Sequence, residues 1–219
     1  MGTNTRCPTV SDLASKYLFV KEVVINKGYK GEITWQSSLC IGTLSESAFL
    51  RELAWVVLAS GMREKIIRNL FNNISDAFFN WDSAKIIVLN REKCFDHAIK
   101  YFNNKSKISA IICAAEMINN LGFERIKEDI YRDPINSMQV FPYIGPVTVY
   151  HLAKNIGLPF AKPDRHLIKI ARAEGYSDVQ IFCRDISALS GDSIPVVDVV
   201  LWRYATIERN YLSFFLENK

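Results

Sequence analysis

The chain has 219 residues, 27 Lys and Arg against 23 Asp and Glu, a net charge of +4, and 49% hydrophobic residues. That length supports one large domain or two closely joined lobes, and the composition is that of a globular protein, not a disordered or fibrous one. No apolar run reaches the length of a membrane span, so no membrane partner is expected. The small positive charge suits a polyanion without pointing to one. The five cysteines, Cys7, Cys40, Cys94, Cys113 and Cys183, are scattered without zinc-ligand spacing. Their odd number and the lack of a secretory segment predict a reducing cytoplasm and no metal site.

In chain order, residues 1–11 read as a loose start, and Tyr17 to Ile25 as a helix broken by Lys27-Gly28-Tyr29-Lys30-Gly31. Thr43 and Glu46 have capping-box spacing ahead of a helix whose face carries Phe49, Leu50, Leu53, Ala54, Val57 and Leu58. Gly61 ends it, and Met62, Ile66, Ile67, Leu70, Phe71 and Ile74 line the next. Phe78, Phe79 and Trp81 form an aromatic knot, suited to core packing or to sandwiching an extruded base; at this density core packing is favoured. Helices follow around Cys94 to Phe102 and from Ser106 to Leu121, with Lys105 and Lys107 at the start of the second. Asp133-Pro134 opens a short helix, with Asp capping and Pro at the first helical position. Ser177 and Gln180 form a second capping-box pair, and a last helix begins at Pro195. The fold expected is all-α, without internal repeats or linkers.

The stretch from Phe141 to Ile170 organises the rest. Pro142 and Gly145 punctuate a turn, Pro146 can open a helix that Gly157 stops, and Pro159 and Pro163 make Leu158 to Lys162 an extended connector. Asp164 then stands at the start of a helix carrying Leu167, Ile168 and Ala171. A turn opening onto a helix leaves N–H groups unpaired, which favours a phosphate, and an Asp at a helix start serves as a cap. Between Tyr143 and Glu174, Lys154, Lys162, Arg165, Lys169 and Arg172 outweigh Asp164 and Glu174.

Phe141-Pro142-Tyr143-Ile144-Gly145-Pro146-Val147-Thr148-Val149, followed by Pro163-Asp164-Arg165-His166-Leu167, resembles the helix-hairpin-helix and downstream Asp of the DNA glycosylases that include endonuclease III and 3-methyladenine DNA glycosylase II. The Gly145-Pro146-Val147-Thr148 form is most similar to the 3-methyladenine branch. Two departures stand out. Tyr143 occupies the first hairpin glycine, where positive φ would strain it. Val147 occupies the position of the catalytic lysine of lyase-active members, which leaves Lys154 and Lys162 as relocated alternatives. The four-cysteine iron–sulfur loop of endonuclease III relatives is absent.

The resemblance implies a two-lobed helical glycosylase. Residues 43–140 form a central lobe, 141–175 the hairpin and catalytic segment, and 1–42 with 176–219 the terminal lobe, with DNA across the cleft. It implies Asp164 as the catalytic carboxylate, and Tyr143, Gly145, Val147, Thr148, Lys154, Arg165 and Arg63 as DNA contacts. Ser60 and Trp35, the latter on a loop, are candidates for the base pocket. His166 is expected to pack or hydrogen-bond within its helix. The expected partner is double-stranded DNA holding a modified or damaged base, bound by a monomer that needs no cofactor beyond a monovalent cation at the hairpin backbone. The expected activity is hydrolysis of an N-glycosidic bond, with alkylated purines favoured. A bifunctional glycosylase/lyase, a non-catalytic DNA-binding protein and a helical scaffold unrelated to DNA are the alternatives.

Overall fold

The computed structural model describes residues 10–216, which form helices and turns with no strand among them. Most of the expected loose start lies outside the described residues. The chain divides into two compact units, the described parts of Met1–Leu39 with Gly157–Lys219, and Cys40–Ile156. That division falls inside the 141–175 stretch: the turn belongs to the second unit and Asp164 to the first.

The terminal unit opens with α1 (Val10–Val24) and α2 (Lys30–Ser38). Gly28 turns the chain between them at φ 92°, a conformation costly for any residue with a Cβ. In the central unit follow α3 (Glu46–Ala59), α4 (Glu64–Ala77), α5 (Ala84–Leu89), α6 (Arg91–Tyr101), α7 (Lys105–Leu121), α8 (Phe123–Arg132), α9 (Pro134–Met138) and α10 (Thr148–Asn155). The chain returns to the terminal unit for α11 (Arg165–Ala173), α12 (Val179–Ser190), α13 (Ile194–Ile207) and α14 (Tyr211–Leu216).

Several starts differ from the sequence reading in instructive ways. Thr43 does not cap α3. Its hydroxyl bonds back to Cys40 O in a short turn, Ser45 accepts from Ala48 N instead, and Glu46 reaches Ala84 N (2.6 Å) at the head of α5. Asp178 rather than Ser177 caps α12, accepting from Gln180 N and Ile181 N. Asp133 caps α9 with Pro134 next to it, as expected.

In the central unit much of the expected apolar face is buried: Phe49, Leu53 and Val57 of α3, Ile67 and Ile74 of α4, and Ile108, Ala115 and Ile118 of α7 are fully so, but Met62 lies ahead of α4 and both it and Ile66 are exposed. The aromatic knot is core. Trp81 stacks against Phe78 and Phe71 at 5.0 and 5.9 Å between centroids, and its Nε1 donates to Ser75 Oγ at 2.9 Å. These contacts hold a left-handed turn, with Phe79, Asn80 and Trp81 at φ 54°, 51° and 63°. Such backbone costs about 1–2 kcal/mol per residue.

In the terminal unit α13 is the central helix: every residue from Pro195 to Leu201 is buried. Around it pack Tyr17, Val20 and Val24 of α1 and Phe182 and Ile186 of α12. Buried charges tie the pieces together. Lys16 donates to Glu174 at 3.0 Å and pairs with Asp12 at 3.3 Å; its side chain is 4% exposed and that of Glu174 fully buried. Arg203 grips Glu32 through two nitrogens, at 2.8 and 2.5 Å, with its guanidinium 4.3 Å from the Tyr29 ring and 4.6 Å from the Trp202 ring.

Removing one partner of a buried pair leaves the other charge without water or counter-ion. Lys16→Met is therefore expected to cost about 3 kcal/mol in urea unfolding, and Lys16→Met/Glu174→Leu to recover much of it.

Candidate functional site

The residues singled out by sequence fall into two local sites, one in each unit. In the central unit, Ile144 N donates to Phe141 O at 3.1 Å with Tyr143 at φ 66°. Pro at the second position and positive φ at the third are the geometry of a type II turn, which ordinarily takes Gly there. Thr148 locks the turn from the next helix: its Oγ1 accepts from Gly145 N at 2.7 Å and donates to Tyr143 O at 2.8 Å. The helix starts at Thr148, two residues later than Pro146 suggests, although Val149 N already reaches back to Gly145 O at 2.9 Å.

This bonding decides which amides face outward. Gly145 N is engaged by Thr148, so it is not offered to a ligand. Those of Tyr143, Val147 and Thr148 donate to no described atom, and they open onto the positive end of α10. The turn walls a shallow, open hollow of about 480 Å³ together with Ser60 and Gln139. Tyr143, Gly145, Val147, Thr148 and Ser60 are thus brought together. The carbonyls of Phe141 and Tyr143 each accept one hydrogen bond and keep a second lone pair, whereas Gly145 O accepts from both Val149 N and Thr148 Oγ1. A set of carbonyl oxygens without carboxylates fits a hard monovalent cation.

Lys107 braces Ser60, one of the residues that line the hollow. It is buried, and its ammonium donates to Leu58 O (2.7 Å) and Ser60 O (2.5 Å), the orphan carbonyls at the end of α3. Its Nζ lies 5.9 Å from the Tyr143 ring centroid, and burial pushes its pKa below the ordinary lysine value. The far end of α10 is fixed by Asn155, which donates to Glu52 Oε2 at 2.9 Å. Burial pushes the Glu52 carboxyl above the usual range, opposed by Arg51 and Asn155. Arg63 is exposed at the head of α4. Lys154 is only 7% exposed, which leaves little of it to meet a strand, and Lys162 is half-buried.

The second site is the head of α11. The connector is pinned from two helices: Gln180 accepts from Ala161 N (3.0 Å) and donates to Ala161 O (2.6 Å), while Asp198 of α13 accepts from Lys162 N at 2.6 Å. Asp164 follows, half-buried. Its Oδ1 caps α11, accepting from His166 N at 2.8 Å and Leu167 N at 3.0 Å, whereas its Oδ2 has no partner among the described residues. Behind it Arg165, Lys169 and Arg172 are exposed and recur at helical spacing, a basic face on α11.

His166 does not bond within its helix through its ring Nδ1. That atom lies 3.1 Å from Tyr211 Oη on α14, and Arg165 Nε donates to His166 Nε2 at 3.3 Å. Burial pushes the imidazole below its ordinary value, Asp164 opposing and Arg165 and Lys169 adding to the shift. Burial also raises the Tyr211 phenol, reinforced by Asp164 and opposed by Arg165. Tyr211, Gln180, Asp198 and the buried Lys107 have no signal in the sequence that marks them as site residues. Trp35 is 40% exposed on α2, a helix rather than the expected loop.

No protein-family model matches the chain, and no curated protein matches it in sequence. Among the described residues no three His, Cys, Asp or Glu side chains are grouped as a metal ion would need.

Since Tyr143 already carries positive φ, Tyr143→Gly is expected to stay within about 1 kcal/mol of the parent in urea unfolding, while the β-branched Tyr143→Val loses more than that. The His166 shift sets a pH dependence. Below the unfolded histidine value of about 6.5, the unfolded chain takes up a proton that the folded chain resists, so stability falls as pH drops through that window. Urea midpoints at about pH 7.5 and about pH 5.5 should differ less for His166→Gln than for the parent.

Proposed function

We propose that this protein is a DNA glycosylase that hydrolyses the bond between a modified base and its deoxyribose, leaving an abasic site. The observation that carries the reading is the divided use of Asp164. One oxygen builds the helix start that fixes the carboxylate, and the other accepts from none of the described residues. A rigidly held carboxylate with a free oxygen is suited to a centre where positive charge develops.

The chemistry follows from that placement. As the base departs, positive charge grows on the sugar, as in glycoside hydrolysis generally. The negative Asp164 stabilises that charge and takes a proton from the attacking water. The water oxygen bonds to C1′, the C1′–N bond breaks, and its electron pair leaves with the base. A cationic alkylated purine leaves without prior protonation, which suits a site with one carboxylate. The target nucleotide has first to be turned out of the duplex. In the central unit the free amides of Tyr143, Val147 and Thr148 hold a strand phosphate and the exposed Arg63 offers a further phosphate contact; in the terminal unit the exposed Arg165 offers its own. A monovalent cation on the carbonyls of Phe141 and Tyr143 would supply further phosphate attraction.

The capping bonds of Asp164 equally support a second reading, a non-catalytic DNA-binding protein in which the carboxylate is only a cap. One variant separates the two. Asn caps as well as Asp, so Asp164→Asn should unfold at the same urea concentration as the parent. On duplexes carrying a panel of modified bases, release of free base should fall at least about a hundredfold, with duplex affinity kept. Equal release by parent and variant rules out the catalytic role, and release by neither leaves the binding protein. Borohydride trapping of a covalent adduct would instead indicate a lysine-dependent lyase.

A further inference from the structure

The polar cluster around Asp164 contains a donor that the reading above does not use. Tyr211 approaches from α14 and meets His166 Nδ1 at 3.1 Å. Which of the two donates is settled by the other side of the imidazole. Arg165 has only N–H donors, so His166 Nε2, at 3.3 Å from Arg165 Nε, must be the acceptor. A neutral imidazole with Nε2 accepting carries its proton on Nδ1 and donates it to the Tyr211 oxygen. The depressed imidazole pKa, caused first by burial, keeps the ring neutral at ordinary pH.

The Tyr211 hydroxyl proton is consequently left over, since no described atom other than His166 Nδ1 bonds its oxygen. Among the described residues the same cluster leaves one acceptor over, Asp164 Oδ2. His166 links the two: its backbone N–H bonds Asp164 Oδ1, and its ring bonds Tyr211. Burial raises the pKa of the phenol first, and the Asp164 charge adds to that rise. One free donor and one free acceptor, anchored through a single residue, are what a water molecule needs to be held in one orientation.

We propose that the Tyr211 hydroxyl donates the hydrogen bond that orients the attacking water, while Asp164 Oδ2 accepts from that same water. The assignment rests on the glycosylase reading. Tyr211 keeps its proton throughout. The water proton passes to Asp164 Oδ2, one water lone pair takes the Tyr211 hydrogen bond, and the other forms the bond to C1′. His166 is a positioning residue that fixes the phenol through its oxygen.

Tyr211→Phe tests this, because it removes the hydroxyl and keeps the ring that packs against His166 at 5.5 Å and 60°. With enzyme in excess over a modified duplex, base release by Tyr211→Phe should fall about tenfold, with the duplex dissociation constant unchanged within about twofold. Nitrogen chemical shifts of the His166 ring should report the proton on Nδ1. Release by Tyr211→Phe equal to the parent's overturns the assignment and leaves the glycosylase reading standing. Weakened duplex binding at an unchanged rate also overturns it, since the hydroxyl would then be a phosphate contact. A proton on Nε2 overturns it independently of any activity, because the phenol would be donating to His166. A parent chain that releases no base overturns both the reading and the assignment.

Discussion

Between Leu158 and Asp164 an extended segment interrupted by prolines makes short backbone bonds of its own, Phe160 N to Leu158 O and Asp164 N to Lys162 O, and side chains from two helices tie it to the fold. Gln180 bonds both polar groups of Ala161, and Asp198 accepts the amide of Lys162. These contacts fix where the chain enters α11, and so where the Asp164 carboxylate stands. Asp198 lies on the most deeply buried helix of its unit, so the connector inherits the rigidity of the core. A carboxylate that must be held still is thereby supported without lengthening the chain around it.

The turn before α10 solves a different problem. It needs a left-handed residue after Pro142, and the chain supplies Tyr143, which ordinarily avoids that geometry. Thr148 compensates by bonding on both sides of the kink, to Tyr143 O and Gly145 N. Those bonds consume the Gly145 amide and leave those of Tyr143, Val147 and Thr148 open, so the bracing of the turn also selects which amides a ligand can meet. Lys107 spends its ammonium on the carbonyls of Leu58 and Ser60 rather than on a carboxylate.

Much of this fold is written in local pattern. The apolar spacing of α3, α4 and α7, the Asp133-Pro134 start of α9 and the extended connector are all readable, because each depends on neighbours within a turn or two. Caps are less legible. Ser45 and Asp178 displace Thr43 and Ser177 because Ser, Thr and Asp cap almost interchangeably, and tertiary partners decide among them. Trp35 lies on a helix that its short, Gly-flanked sequence does not announce. The burial of Lys107 and Lys154 was hidden by the usual preference of lysine for water. At the candidate sites, Tyr143 and Asp164 could be picked out from motif and spacing. Tyr211 could not, since only folding brings α14 beside α11.

The attachment of α2 carries a consequence for the motions of the terminal unit. Only Ile33 and Gln36 of that helix are buried, so little apolar surface secures it. What fastens it is the Arg203 guanidinium, clasped by Glu32 and flanked by Tyr29 and Trp202. A planar, delocalised cation satisfies that slot, and a lysine in its place would surrender both the paired hydrogen bonds and the face-on contact. Because this clasp is ionic while α13 is buried along most of its length, α2 forms its own opening unit, exchanging its amide hydrogens sooner than α13 and sooner still in concentrated salt.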